Sequence, residues 1–408
     1  MKKIDIIRVF VPGDSVFGLI SNQSKFQNGG ILVLKSLEII HYSMVMNSIG
    51  IICEKCQKTS HIVVVCRIMG IPVVQVQSIN FIDQYKKFIH INFQDSQVQF
   101  SENEFTVLDK PLECNYCYPR IQHQLSIVNS NQLIDRIKTQ NNDDVEQIFL
   151  RSELMWLSLQ TNPYYYLSQN GIQKTAQKIQ EELLPLCKKI SNNLILNFRG
   201  LDLRSDQGLF EEQKVYEPNP HLGLHGIRQL LVFKDYLLAE LLAVDSLYSM
   251  GYTNVIYSLP FVISPDEVHS VTRLKNKHCK NKFDIGVFIE TPASVFEIDS
   301  ILSNEISYVY IGTKDLSQLV LAVDRDNSRV SHLMNLVSPS IIKAIRYVLE
   351  SCIQYNIPAF VFSMPADIPG LIESLPLIQR ISIPAADYFH HKLGYSVHDN
   401  IRATNKTI

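Results

Sequence analysis

From residue 146 onward, short apolar strands alternate with amphipathic helical stretches, and this alternation limits the fold more than any other feature. The strands read as Gln147–Arg151, Leu194–Leu203, Asn254–Val262, Asp284–Ile289, Ile306–Gly312, Ala359–Phe362 and Arg380–Ile383. Helical spacing fills intervals such as Ile227–Met250, Pro265–Leu274 and Pro339–Tyr355. Repeated strand–helix units make a parallel sheet, because a helical crossover returns the chain to the same end of the sheet. So many units in roughly 260 residues predict a (β/α)8 TIM-type barrel over 146–408. An open doubly wound sheet is the rival, but no G-x-G-x-x-G opens it.

The residues before the alternation read differently. Over 1–105, Gly29-Gly30 turns into a strand at Ile31–Leu34, Ser36–Ser48 has helical spacing, and Gly50–Ile52 is a buried strand. Lys87–Phe93 and Gln97–Phe100 read as a closing hairpin, so a compact β/α domain is expected. Within it, QKTSHIVVVCRIMGIPVVQV (57–76) holds one histidine, His61, behind a Thr-Ser pair. Ile62–Met69 reads as a short amphipathic helix stopped by Gly70, and Pro72 leads into a strand at Val73. His61 then sits at a helix N-terminus, where unpaired N–H groups favour anions. A neutral imidazole there can accept a phosphoryl group; the plainer reading is a helix-start histidine with no chemical task. Residues 106–145, rich in Asp, Asn, Gln and Ser, read as a linker that is partly helical over Gln132–Thr139.

A formal net charge of −2 argues against a general nucleic-acid binder. No apolar run reaches membrane-spanning length and the N-terminus lacks a signal-peptide core, so a cytoplasmic protein is expected. Among the cysteines, Cys53/Cys56 and Cys114/Cys117 form two C-x-x-C pairs, which can make a structural four-thiolate Zn²⁺ site, a redox pair or unrelated thiols. Trp156 and Tyr164–Tyr166 read as packing residues, and His41, His123, His221 and the His390-His391 pair as solvent-facing or locally bonded.

Charged residues fall where the predicted strands end: Arg151, Arg199, Glu290 and Asp315. Strand C-termini form the active face of a TIM barrel. Two acids on neighbouring strand ends can hold one Mg²⁺, and paired arginines can clamp a phosphate or carboxylate. Structural ion pairs lining the mouth are the alternative.

Together these stretches resemble the phosphoenolpyruvate-utilising enzymes, the family of enzyme I of the sugar phosphotransferase system, phosphoenolpyruvate synthase and pyruvate phosphate dikinase. TSHIVVVCRIMGIPVV looks like the swivelling phosphohistidine motif, with His61 at the phosphorylated position. FLRSELMW and FRGLDLRSDQ look like the first two barrel strands, with Arg151 and Arg199 at substrate arginines. EPNPHLGLHGIR matches the next signature loop. GVFIETPAS and YIGTKDLSQLVLAVDRDN put Glu290 and Asp315 at the metal positions and Arg325 at a further phosphate-binding arginine. The resemblance covers most of the chain. It implies a swivelling domain followed by a barrel in which Mg²⁺ and arginines hold phosphoenolpyruvate. The histidine attacks phosphorus in line, a cysteine protonates the enolate, and the swivelling domain carries the phosphoryl group onward.

The sequence departs from that pattern at several places. PAFVFSMPADIPG resembles the cysteine-bearing loop, with Val361 at the cysteine position. His225 stands where the family has a phosphate-binding arginine, Lys314 where it has an asparagine, and Gln207 where it has a lysine. KCQK replaces a pair of glycines before the histidine. The residues ahead of His61 are too few for an ATP-binding or carrier-docking domain, so such a partner is expected on another chain.

The favoured reading is a phosphotransferase exchanging a phosphoryl group between phosphoenolpyruvate, or a related phosphorylated acid, and His61. Glu290 and Asp315 would hold Mg²⁺, and Arg151, Arg199 and Arg325, with Lys314 and His225, would contact the substrate. The alternative is a catalytically impaired relative that binds a ligand or partner protein. A third is a barrel performing lyase or aldolase chemistry on a pyruvate-like enolate without His61. A homodimer through the barrel is expected by analogy with the family.

Overall fold

The computed structural model of the protein describes residues 2–11, 16–22, 26, 28–38, 41–56, 61–80, 88–93, 96–101, 121–128, 144–190, 193–205, 217–327, 329–363 and 367–388. The chain divides into two compact units, residues 1–117 with 384–408, and residues 118–383.

The first unit is built on one eight-stranded mixed sheet. Its strands are β1 (Lys2–Asp5), β2 (Arg8–Val11), β3 (Val16–Asn22), β4 (Ile31–Ser36), β5 (Gly50–Lys55), β6 (Val73–Gln75), β7 (Phe88–Asn92) and β8 (Gln97–Ser101). They lie in the order β1-β8-β7-β3-β4-β5-β6-β2. β4 and β5 pair in parallel and are buried through four successive residues, as expected of strands covered on both faces. The expected hairpin is present, with β7 and β8 antiparallel. Two helices, α1 (Tyr42–Met46) and α2 (His61–Met69), pack against each other. The helix expected over Ser36–Ser48 is shorter than its spacing suggests. Ser36 still belongs to β4, and the Glu38 N–H donates to the His41 ring at 3.1 Å, turning the chain before α1 starts. Gly70, at φ +69°, ends α2 as expected.

The second unit is a closed barrel of parallel strands: β9 (Gln122–Ile127), β10 (Val145–Arg151), β11 (Ile195–Arg199), β12 (Val255–Val262), β13 (Ile285–Ile289), β14 (Tyr308–Gly312), β15 (Ala359–Phe362) and β16 (Arg380–Pro384). Seven strands fall where expected. The eighth corrects the linker assigned to 106–145: β9 lies inside it and pairs with β10. QHQLSI alternates polar with apolar residues in a polar stretch, so it carries no apolar-run signal. Inside the barrel, Gln124 Nε2 donates to Gln147 Oε1 at 2.6 Å and the Tyr310 hydroxyl donates to the same oxygen at 3.0 Å. The expected helix over 132–139 lies outside the described residues.

The helices between strands are α3 (Ser152–Ser158), α4 (Pro163–Lys189), α5 (Ile227–Val232), α6 (Lys234–Ser249), α7 (Pro265–His278), α8 (Pro292–Phe296), α9 (Ile298–Leu302), α10 (Thr313–Leu321), α11 (Pro339–Gln354) and α12 (Ile368–Ser374). The single helix expected over Ile227–Met250 is two, broken at Phe233, where ψ is 61°. Inside the barrel, Phe149, Phe288, Tyr310 and Phe360 form one buried cluster, with Phe362 packed against it. Phe362 lies edge-on to Phe149 at 4.9 Å between centroids and 5.1 Å from Phe288. Aromatic pairs of this geometry each contribute about 1 kcal/mol beyond their buried area. With this packed floor, the charged strand ends lie above a filled interior rather than over a pore.

Candidate active site at the barrel mouth

Arg151 and Arg199 end adjacent strands and are paired in register, so both guanidinium groups rise from the same rim. Each stands over the aromatic floor, Arg151 at 5.5 Å from the Phe149 centroid and Arg199 at 5.4 Å from Phe288. Glu290 follows β13, and Asp315 lies in the first turn of α10 after β14. Gly312, on the neighbouring strand, leaves room for Glu290; a Cβ there would collide with the carboxylate.

Each charged group is held by others. Arg199 Nη2 lies 2.5 Å from Glu153 Oε1 and 3.3 Å from Asp202 Oδ2. Asp202 Oδ1 lies 2.9 Å from His225 Nδ1, while His225 Nε2 lies 3.0 Å from the His221 carbonyl. Both ring nitrogens face acceptors, an arrangement that favours the doubly protonated, cationic ring. Burial opposes that charge, but the Asp202 hydrogen bond and negative charge, with the His221 carbonyl and Asp315, together raise the His225 pKa. Burial likewise opposes ionisation of Asp202, but Arg199 and His225 hold its carboxyl well below the usual range. On the far side, Arg325 Nη1 bonds Asp315 Oδ1 at 3.0 Å. Burial raises the Asp315 pKa and Arg325 lowers it, the arginine winning.

Glu290 is in the opposite situation. Burial, then the negative charge of Asp315, pushes its pKa up to about 8. Two acids that repel across the mouth fit a divalent cation, and an all-oxygen donor set suits Mg²⁺. Glu290 Oε2 also accepts the Phe261 N–H at 3.1 Å. Phe261 takes φ +55°, in the left-handed region unfavourable to a bulky residue, within a register shift between Leu259 and Val262. The bulge turns that amide toward Glu290 and lays the Phe261 ring 4.2 Å from the His225 ring.

The arginines keep donors to spare. The Nε atoms of Arg151, Arg199 and Arg325 are all buried without a hydrogen-bond partner. Buried native donors are nearly always satisfied, so three orphans around one mouth fit an anion bound between them. Burial and the neighbouring Arg199 charge lower the Arg151 pKa, the effect an anion would relieve.

Of the expected site residues, Arg151, Arg199, His225, Glu290, Lys314, Asp315 and Arg325 all sit at or beyond the C-terminal ends of barrel strands, Lys314 in the first turn of α10. His61 opens α2 in the other unit; its side chain lies outside the described residues, as do Gln207, Cys114 and Cys117. Cys53 and Cys56 form no disulfide, and the other half of the expected four-thiolate Zn²⁺ site lies outside the described residues.

On β15, side chains alternate, and Phe360 and Phe362 both pack into the interior cluster, so Val361 points to the helix layer and Phe362 is the residue of β15 that faces the mouth. His221, expected to face solvent or hydrogen-bond, bonds Asp326, its Nε2 lying 2.9 Å from Oδ2. His221, Asp324 and Asp326 bring ligand atoms within 4.8 Å of one another, but Arg204 stands 4.0 Å from Asp326, which disfavours a cation there. Sequence reading missed Glu153, Asp202 and Arg204. Their only signal was proximity to Arg151 and Arg199 in chain order.

Residues 120–383 match the family described as PEP-utilising enzyme, PEP-binding domain, and residues 26–92 the one described as PEP-utilising enzyme, mobile domain. A protein named probable phosphoenolpyruvate synthase, from Archaeoglobus fulgidus, is 26% identical over 358 residues, covering 86% of this chain and 47% of that protein. A phosphoenolpyruvate-protein phosphotransferase from Mycoplasma genitalium is 30% identical over 318 residues, covering 74% of this chain and 54% of that protein. The chain spans about half the length of these two relatives.

Proposed function

The chain belongs to the phosphoenolpyruvate-utilising enzyme family, and from that premise we propose that it is a phosphotransferase exchanging a phosphoryl group between phosphoenolpyruvate, or a related phosphorylated acid, and His61. The observation that carries this reading is the set of buried, partnerless Nε donors on Arg151, Arg199 and Arg325 beside the acid pair Glu290 and Asp315.

In this reading the arginines clamp the anionic ends of the substrate. Lys314 lies in the first turn of α10, next to Asp315 in the chain, and His225 acts through Asp202, since both its ring nitrogens are already engaged. Glu153 and Asp202 fix the Arg199 guanidinium, so little reorganisation is needed when charge builds on the transferring group. Glu290 and Asp315 would hold Mg²⁺, which supplies positive charge to the phosphoryl and enolate oxygens. A His61 ring nitrogen forms the new bond to phosphorus as the bond to the enol oxygen breaks, leaving the enolate of pyruvate. His61 then passes the phosphoryl group to an acceptor, a separate phosphocarrier or ATP-binding protein in this reading.

The test is incubation of the full chain with ³²P-phosphoenolpyruvate and Mg²⁺. The expected product is an acid-labile, base-stable phosphohistidine, absent in His61→Ala. Protein that stays unlabelled, alone and with candidate partner proteins, would refute the reading. A second reading, a ligand-binding relative without turnover, is favoured by Phe362, which puts a ring with no exchangeable proton at the mouth. Calorimetry separates the two: tight phosphoenolpyruvate binding with no labelling and no pyruvate release supports the second.

A further inference from the structure

Behind the rim, between α6 and strands β11 and β12, lies a carboxyl group that the proposed chemistry does not use. Glu240 is fully buried. Its Oε2 accepts the Tyr257 hydroxyl at 2.6 Å and the Leu201 N–H at 3.4 Å. The Ser152 and Tyr236 hydroxyls also lie close enough to the carboxylate to stabilise its charge, without a bond of ideal geometry to Oε1. Beside it, the Tyr236 hydroxyl accepts the Trp156 indole N–H at 2.6 Å and lies 3.1 Å from Ser152 Oγ.

The backbone positions this cluster touches are telling. Leu201 lies between Arg199 and Asp202, the two ends of one rim ion pair. Ser152 lies between Arg151 and Glu153, the latter Arg199's other partner. The Gly200 N–H still bonds the Ser258 carbonyl of β12, but the Leu201 N–H goes to Glu240 instead of a neighbouring strand. Gly200 has no room for a Cβ, because the Tyr257 hydroxyl occupies that space on its way to Glu240. Glu240, Tyr257, Tyr236 and Ser152 thus form a polar seam inside an otherwise apolar wall. An apolar wall would pack there without desolvating a carboxylate.

We propose that Glu240 is a positioning residue for the mouth, fixing through Tyr257 and the Leu201 amide the turn that carries Arg199 and Asp202, and through Tyr236 and Ser152 the start of α3 beside Arg151 and Glu153. The proposal rests on the anion-binding part of the function proposed above. The ionised carboxylate keeps both oxygens as acceptors, Oε2 toward Tyr257 and Leu201 and the carboxylate's other face toward the Ser152 and Tyr236 hydroxyls; protonation turns one of the oxygens into a donor. Burial, opposed by the Ser152, Tyr257 and Tyr236 hydroxyls and the Leu201 N–H, pushes the Glu240 pKa up to about 7. The other groups facing it are the neutral phenols of Tyr164, Tyr236 and Tyr257, all with raised pKa, so Glu240 is the member of the cluster that titrates near neutrality.

The test uses the full chain and sulfate, whose charge is constant between pH 5.5 and 8.5, with phosphoenolpyruvate plus Mg²⁺ measured in parallel. In the wild type, sulfate binding carries a component that tightens as pH rises through 7. In Glu240→Gln that component disappears, and the affinity at pH 8 is roughly tenfold weaker, the loss expected when one held contact is released. At pH 5.5 the two proteins agree. His225 titrates in both, so the difference isolates Glu240. The melting temperature of the variant at pH 8 should equal or exceed that of the wild type. Tyr257→Phe, which keeps the acid and removes its donor, should weaken sulfate at pH 8 by a similar factor and serves as the second variant should Glu240→Gln not fold. Identical pH profiles in wild type and variant would overturn the proposal, as would equal weakening at every pH with a lower melting temperature. Wild-type protein that binds sulfate but not phosphoenolpyruvate removes the phosphotransferase reading and leaves this inference standing; binding of neither removes both.

Discussion

At the scale of single residues, the mouth is a set of charges that only make sense together. Arg199 is shared by Glu153 and Asp202, Asp202 by Arg199 and His225, and Asp315 by Arg325. An isolated ion of this kind would be costly to bury, and a network of fixed partners is what keeps each ionised. His225 shows the consequence. Its folded pKa is raised, so its contribution to stability is complete below its unfolded value of 6.5 and is lost as pH rises through the folded value. Asp202→Asn removes the acceptor that raises it. The ring should then titrate lower than in the wild type, as read from the imidazole NMR shifts, and the stability advantage below pH 6.5 should shrink. An unchanged His225 titration in Asp202→Asn would show that Asp202 is not its partner in solution.

At the scale of elements, the alternation of side chains along a strand decides which residues do chemistry. On β15, Phe360 and Phe362 face the interior and Val361 faces the helices, where it is 1% exposed. A thiol introduced at each position reads this directly. Phe362→Cys places a proton-bearing group at the mouth, and substrate should protect it from alkylation. Val361→Cys should resist alkylation with and without substrate until the barrel unfolds. If phosphoenolpyruvate is turned over, Phe362→Cys should also raise pyruvate release, while Val361→Cys should not. The reverse pattern would place Val361 at the mouth. The bulge in β12 works on the same scale: one register shift at Pro260-Phe261 turns an amide toward Glu290 and a ring toward His225.

At the scale of the molecule, the chain has two separate cores. The first unit buries β4, β5, β7 and β8 around Ile31, Ile52, Ile89 and Phe100, and the second closes a barrel with an aromatic interior. Among the described residues no helix is long and apolar enough to cross a membrane. Scanning calorimetry of the full chain should resolve two transitions. Phosphoenolpyruvate with Mg²⁺ at a hundred times its Kd should stabilise the barrel by about 2.7 kcal/mol and leave the other transition in place. One transition that moves as a whole would show the units unfold as one.

Composition and periodicity already determined the alternating strands and helices, the short helix that opens at His61, and the acids and arginines at strand ends. These are local signals: period, caps and charge at a strand terminus depend on neighbours in the chain. The rest was decided by contacts between residues far apart in sequence. QHQLSI became a barrel strand because it pairs with β10 and its Gln124 side chain meets Gln147 inside the closed wall. Phe362 rather than Val361 faces the mouth because register with β14 and β16 sets which face looks inward. Glu240 acquired its place because α6 folds back against β12 and delivers a carboxylate behind the arginine turn, a meeting that no spacing in the sequence encodes.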